Sequence, residues 1–270
     1  MTRKTLLSIA ITFFVVGGPC MPTASAHFIW LEAPPALARN SEPTVALYFG
    51  EYQEFLREEA GGRLDKMDGT KAWVVDPKGS RQELSLGKKG SRFVGVLNQP
   101  CLPGRYQVLA EHTELEVQDL TKRDLGIAKP HFHARTQFVC ADDSWIGERE
   151  KEIAPTGGLD ILLLTKGINL ARGELTASLG TEMLVKIVFK GAPLVSQEFL
   201  VHSPLGWNKE IKTDSQGIAS FTPLWPGRYV LELLHVEKAS GEFNGKAYQT
   251  IRHRATLTLE IAGQRPSTEK

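Results

Sequence analysis

The sequence predicts an all-β protein, two β-sandwiches in tandem behind an export leader. Three observations carry this: a repeated strand–turn–strand unit, short runs of period-two alternation bounded by turn residues, and few amphipathic helical runs. The repeat is the sharpest. Leu102-Pro103-Gly104-Arg105-Tyr106-Gln107-Val108-Leu109 matches Trp225-Pro226-Gly227-Arg228-Tyr229-Val230-Leu231-Glu232, and the same offset pairs His112 with His235. Upstream, Phe93 to Leu97 takes the place of Ile218 to Phe221. Proline fixes φ at each corner and glycine supplies the permissive position after it.

From the N-terminus, Arg3 and Lys4 precede an apolar stretch from Leu6 to Val16, and Ala24-Ser25-Ala26 offers a small-x-small cleavage site before His27. Residues 1–26 therefore read as a signal peptide, and the exported chain as periplasmic or secreted. The apolar stretch is shorter than the roughly 20 residues a membrane span needs, and no later segment is long and uncharged enough. Cys20 after Gly17-Gly18-Pro19 raises a lipoprotein alternative, which the proline disfavours.

Residues 27–140 form the first predicted sandwich. Its strands include Pro43 to Phe49, Lys71 to Val75 before the turn Asp76-Pro77-Lys78-Gly79, and Thr136 to Cys140. Glu51 to Glu59 has helix-forming composition and predicts a short helix or excursion, stopped by Gly61-Gly62. Residues 141–158 read as a linker, from the charged run Gly147 to Glu152 to Pro155-Thr156-Gly157-Gly158. The second sandwich spans 159–262, with strands at Leu159 to Leu164, Met183 to Lys190, Glu198 to His202 and Ala255 to Ile261. The polar stretch 263–270 predicts a flexible tail.

The charge balance, 32 Lys and Arg against 31 Asp and Glu, gives a formal net charge of +1 and no basic block. Nucleic-acid binding is excluded on that ground. Only Cys101 and Cys140 remain beyond the leader, and an even pair in an exported chain predicts one disulfide. The closed loop of about 40 residues contributes on the order of 3–4 kcal/mol in the chain-entropy model. Thiolate metal sites are then unavailable, so any metal site must use histidine, carboxylates and the terminus. There is no nucleophile elbow, phosphate loop or His-Glu-x-x-His helix, and no positive sign of a hydrolase.

Cleavage after Ala26 would give His27 a free α-amine beside its imidazole Nδ1, half of a copper-binding histidine brace. The plainer reading is a residue that merely follows the cut. Lys129-Pro130-His131-Phe132-His133 is the densest histidine cluster. On a strand, residues i and i+2 share a face, so His131 and His133 can approach one ion, or both can face solvent on an edge. His235 ends an apolar strand and is the favoured distant partner of His27. His253, between Arg252 and Arg254, reads as a solvated surface residue in a cationic setting that discourages metal.

Several segments together resemble a known family. They are His27-Phe28-Ile29-Trp30-Leu31 directly after the leader, Leu184 to Phe189 running into Lys190-Gly191-Ala192-Pro193-Leu194, Asp214 to Gly217, Pro226-Gly227-Arg228-Tyr229, His235, and Ala255 to Leu259. This set resembles the uncharacterised periplasmic proteins known as the periplasmic component of nickel or cobalt uptake. The resemblance implies Ig-like or prealbumin-like sandwiches and roles for His27 and His235. The connection Ser240 to Ile251 departs from the family's Trp-rich version.

The leading expectation is an exported, non-enzymatic transition-metal-binding protein for handling or uptake. Its ligands would come from His27, His235, His131 and His133. Copper is favoured by all-nitrogen ligation, with nickel or cobalt resting on the resemblance, and a membrane transporter or another envelope protein is the expected partner. Two rivals stand beside it: an Ig-like envelope module that binds protein or glycan without metal, and a copper-dependent oxidase of histidine-brace type.

Overall fold

The structure, a computed structural model, describes residues 27–97, 99–141, 157–164, 168–169 and 176–262. The expected leader with its cleavage site and Cys20, most of the expected linker, and the expected tail lie outside the described residues. The protein is all-β. The helical turns among the described residues are two short 3₁₀ segments, Arg63–Met67 and Thr121–Arg123.

The first half supplies β1 (Phe28–Glu32), β2 (Ala36–Ala38), β3 (Thr44–Glu51), β4 (Leu56–Arg57), β5 (Lys71–Val75), β6 (Arg81–Glu83), β7 (Leu86–Lys89), β8 (Arg92–Val96), β9 (Gly104–His112), β10 (Gln118–Asp119) and β11 (Ile127–Ala141). The second supplies β12 (Leu159–Leu164), β13 (Ile168–Asn169), β14 (Thr176–Ser178), β15 (Met183–Phe189), β16 (Ala192–Pro193), β17 (Glu198–His202), β18 (Asn208–Lys212), β19 (Ile218–Phe221), β20 (Gly227–Glu237), β21 (Gly241–Phe243), β22 (Lys246–Tyr248) and β23 (Thr250–Ala262). Glu51 to Glu59 takes the excursion rather than the helix: after a turn, β4 folds back on β3 with Gly50 opposite Arg57. So short a run cannot sustain an isolated helix, and ladder pairing satisfies its backbone instead.

The repeat is visible in three dimensions. The Tyr106 hydroxyl accepts the Leu102 N–H at 2.9 Å, and the Tyr229 hydroxyl accepts the Trp225 N–H at 3.2 Å. Gly104 and Gly227 have φ of 139° and 120°, and a Cβ there would stand 2.4 Å from Pro77 and 3.0 Å from Pro204. Both copies thus need glycine for the same reason, a proline packed against the corner.

The copies meet in one long sheet ordered β18-β17-β20-β23-β11-β9-β5-β6. Its two halves mirror each other about the parallel β11–β23 junction, where Ala128 to Arg135 pair with Thr250 to Leu257. A smaller sheet, β1-β3-β8-β7, belongs to the first half, and β12-β15-β16 with β19 belongs to the second.

Residue parity shows which face each small sheet covers. Phe132, Ala134 and Phe138 of β11 lie in the first core, with Trp30, Leu47 and Val108. The second core takes Ala255, Leu257 and Leu259 of β23, with Ile161 and Val185. Because Phe132 pairs with Arg254 and His133 with Ala255, the two cores sit on opposite faces of the long sheet. Each central strand therefore turns alternate residues to the other half. The predicted disulfide is present between Cys101 and Cys140, tying the start of β9 to the end of β11.

Candidate metal centre

The register at the β11–β23 junction builds a histidine cluster. His131 lies directly opposite His253, and across the next ladder His253 lies opposite His235 on β20. Paired residues share a face, so three adjacent strands present a row of imidazoles, and His133 joins from two residues along β11. The Nε2 of His133 stands 3.2 Å from Nδ1 of His253. One nitrogen from each of His131, His133 and His253 can be chosen so that all three lie within 4.8 Å of one another.

The His133–His253 separation suits an ion. Two imidazole nitrogens each ~2.0–2.1 Å from one tetrahedral centre are about 3.3 Å apart. The tautomer of His253 is also set. Nε2 of His253 is 3.0 Å from the Glu237 carboxylate, so its N–H donates there and Nδ1 keeps its lone pair towards His133.

The roof comes from the smaller sheet of the second half. The Phe189 ring lies 4.6 Å from that of His235 and 4.9 Å from that of His253. Lys190, at the β15–β16 corner, holds the other Glu237 oxygen at 2.5 Å and donates its backbone N–H to Gly158. A Cβ on Gly158 would stand 2.9 Å from Cε1 of His133. Gly158→Ala should therefore displace the His133 ring and weaken a bound ion about tenfold while leaving the strands intact. Chelator competition and circular dichroism check the two halves of that expectation.

Burial keeps the cluster neutral. His133 and His253 are 8% and 4% exposed, while His131 is half-buried at the open side. Desolvation, reinforced by the facing His253, pulls the pKa of His131 down to about 4 and that of His133 to about 3. Burial also lowers His253 and His235, and the Lys190 ammonium holds the Glu237 carboxyl below its usual range. The unfolded chain thus takes up protons on His131 and His133 from pH 6.5 downwards, before the folded protein does. Stability is full above pH 6.5 and falls as pH drops towards about 4 and 3. Thermal unfolding from pH 7.5 to pH 4.5 should show this fall, and a His131→Asn, His133→Asn double variant should flatten it.

The expected ligands divide between two places. His131, His133 and His235 share the face described above. His27 does not join them. Its Nδ1 is 3.0 Å from Glu51, its Nε2 contacts Glu58, and Arg63 approaches Nε2 at 3.3 Å. Among the described residues His27 has no hydrogen bond or ring contact with another histidine, so the His27–His235 brace is not assembled.

His253 is the member of the cluster that the sequence reading set aside. Arg252 and Arg254 point to the opposite face, where Arg254 pairs with Glu232, so the cationic neighbours in sequence are not neighbours in space. The signal for it was the alternation of Arg252-His253-Arg254 on a predicted strand. His112, the repeat partner of His235, is buried against Thr70, 3.1 Å from its hydroxyl oxygen.

Similarity to solved structures is slight. A DUF4785 family protein from Legionella pneumophila subsp. pneumophila str. Philadelphia 1 is 12% identical, covering 76% of this chain and 50% of that one, with a TM-score of 0.27. A 1.5-MDa bacterial ice-binding adhesin is 9% identical, covering 87% and 64%, with a TM-score of 0.22. This chain therefore spans half of the first structure and under two thirds of the second. No curated protein matches it. A family model described as Domain of unknown function (DUF4198) matches residues 24–237, and the chain belongs to that family.

Proposed function

We propose that the protein is an exported transition-metal-binding protein whose site is His131, His133 and His253. The observation that carries this reading is the convergence of three nitrogens within 4.8 Å, two of them on nearly buried rings. Burial of three neutral imidazoles leaves lone pairs free of proton competition near neutrality, and Glu237 orients His253 as carboxylates orient metal-bound histidines. The half-buried His131 leaves the ion a way in.

All-nitrogen ligation selects late first-row ions, and the Irving–Williams order ranks Cu(II) above Ni(II) and Co(II). Handling or delivery is the reading taken here, with the imidazoles as ligands and Glu237 orienting one of them. Export is supported by the leader-like start of the sequence and by the disulfide, which persists in oxidising compartments.

The test is titration of residues 27–270 with Cu(II), Zn(II), Ni(II) and Co(II) against a chromophoric chelator. The expected result is one tight equivalent, Cu(II) strongest, with a nitrogen-rich spectrum. Absence of binding tighter than micromolar for all four ions would sink the reading and leave an envelope interaction module.

A further inference from the structure

The strands β21 and β22 form a two-stranded hairpin of their own, apart from the long sheet. It is inserted where the β20–β23 ladder ends with Glu237 opposite Ile251. Its tip is tight: Asn244 and Gly245 both have positive φ, 49° and 74°, the backbone of a two-residue hairpin turn. At its base Tyr248 lies opposite Gly241, where a Cβ would stand 2.4 Å from the phenol oxygen. The hairpin is thus fixed within itself and can move as one piece about 238–240 and Gln249.

Its fastenings lie on the first half. Asn244 Nδ2 donates to Glu116 Oε1 at 2.8 Å, and Lys246 Nζ donates to Glu116 Oε2 at 2.9 Å. Lys129 Nζ lies 3.4 Å from the centre of the Phe243 ring and donates to the carbonyls of Thr113 and Leu115 at 2.6 and 2.5 Å. The Glu116 and Lys246 side chains are 56% and 59% exposed, so their attraction is weak in water and screened by salt. Lys129 is only 3% exposed, and its contact with the ring is correspondingly stronger.

Lys129 and His131 are two residues apart on β11 and share one face of it. Lys129 pairs with Ile251 and His131 with His253, so the row capped by Phe243 adjoins the first row of the three-histidine cluster. Such rows are about 7 Å apart, and His131 is the half-buried member of the cluster. We propose that the β21–β22 hairpin is a latched lid at the His131 side of the site, held by Glu116 and by Phe243 on Lys129, whose opening admits and releases the ion. The inference rests on the three-histidine reading. All three candidate ligands lie on β11 and β23, so the lid sets the rates of entry and exit together and leaves affinity unchanged.

The experiment loads residues 27–270 with one equivalent of Cu(II), mixes them rapidly with excess EDTA and follows the loss of visible absorbance. Exchange through an open lid scales with the open population. Glu116→Ala should speed loss about fivefold and Phe243→Ala about tenfold, each with an unchanged Kd. Salt at about 0.5 M should speed loss from the unaltered chain and have no such effect in Glu116→Ala. Joining Glu116→Cys to Asn244→Cys with a short bismaleimide should slow loss below that of the same variant left unjoined. If Cu(II) binds but these rates all match that of the unaltered chain, the lid is overturned and the site stands. A weaker Kd with an unchanged entry rate also overturns the lid, since the hairpin would then only brace the site. If the unaltered chain binds no Cu(II), site and lid fall together, so the failures are distinguishable.

Discussion

Replacing His253 by alanine should lower Cu(II) affinity at least 100-fold, about 2.7 kcal/mol, while His27→Ala should change it less than threefold. In the proposed site His253 supplies a ligand nitrogen, and its ring is the one fixed on the far side by Glu237. Loss of an outer-sphere orienting group alone typically costs 10–100-fold, so loss of the ligand with its anchor should cost at least the upper figure. His27 contacts Glu51, Glu58, Arg63 and Phe49, on the face of the first core. Competition against a chelator measures both values. If His27→Ala abolishes binding while His253→Ala does not, the site lies at the terminus and the three-histidine reading is wrong.

The second large effect concerns the bond between the two halves. Arg135 of β11 reaches Asp160 of β12 through Nε–Oδ1 at 2.9 Å and Nη2–Oδ2 at 2.5 Å, with both side chains at or below 5% exposure. Gln107 accepts from Nη1 of the same arginine at 3.0 Å. Asp160→Ala leaves a buried guanidinium without its carboxylate and should cost about 3–5 kcal/mol. For a chain of this size that is a fall in Tm of roughly 10 °C. An Arg135→Met, Asp160→Leu double variant should recover much of the loss, since removing both charges removes the desolvation cost as well. Urea unfolding reads both variants. A loss below 1 kcal/mol for Asp160→Ala would mean that water or another group compensates the arginine.

The fold was legible wherever the signal was local. Strands such as Lys71–Val75 and Leu159–Leu164 coincide with the expected segments because alternation and turn residues act within a few positions. The two Pro-Gly-Arg-Tyr corners also read correctly, since each demands glycine and returns its tyrosine to the backbone four residues upstream. Glu51 to Glu59 was ambiguous because its helical composition is overridden by pairing with β3. At the site, His131 and His133 were legible as an i, i+2 pair. His253 was misread because its flanking arginines were taken as spatial neighbours, although a strand sends them to the opposite face. Glu237 and Lys190 gave no sequence signal, since both reach the cluster only across ladders or from the opposing sheet.

By itself the sequence determined an all-β protein, the two matching corners, and the pairing of the two cysteines left beyond the expected leader. Those features are set by backbone sterics and residue periodicity over short distances. Tertiary structure alone decided that β11 and β23 run side by side, in a register that brings His133 and His253 together across 120 residues of chain. It also decided that the two cores take opposite faces of one sheet, which turns His131, His133 and Arg135 away from their own half towards the other. Strand register between distant segments is fixed by the summed packing of both faces, and no local pattern in either strand contains that sum.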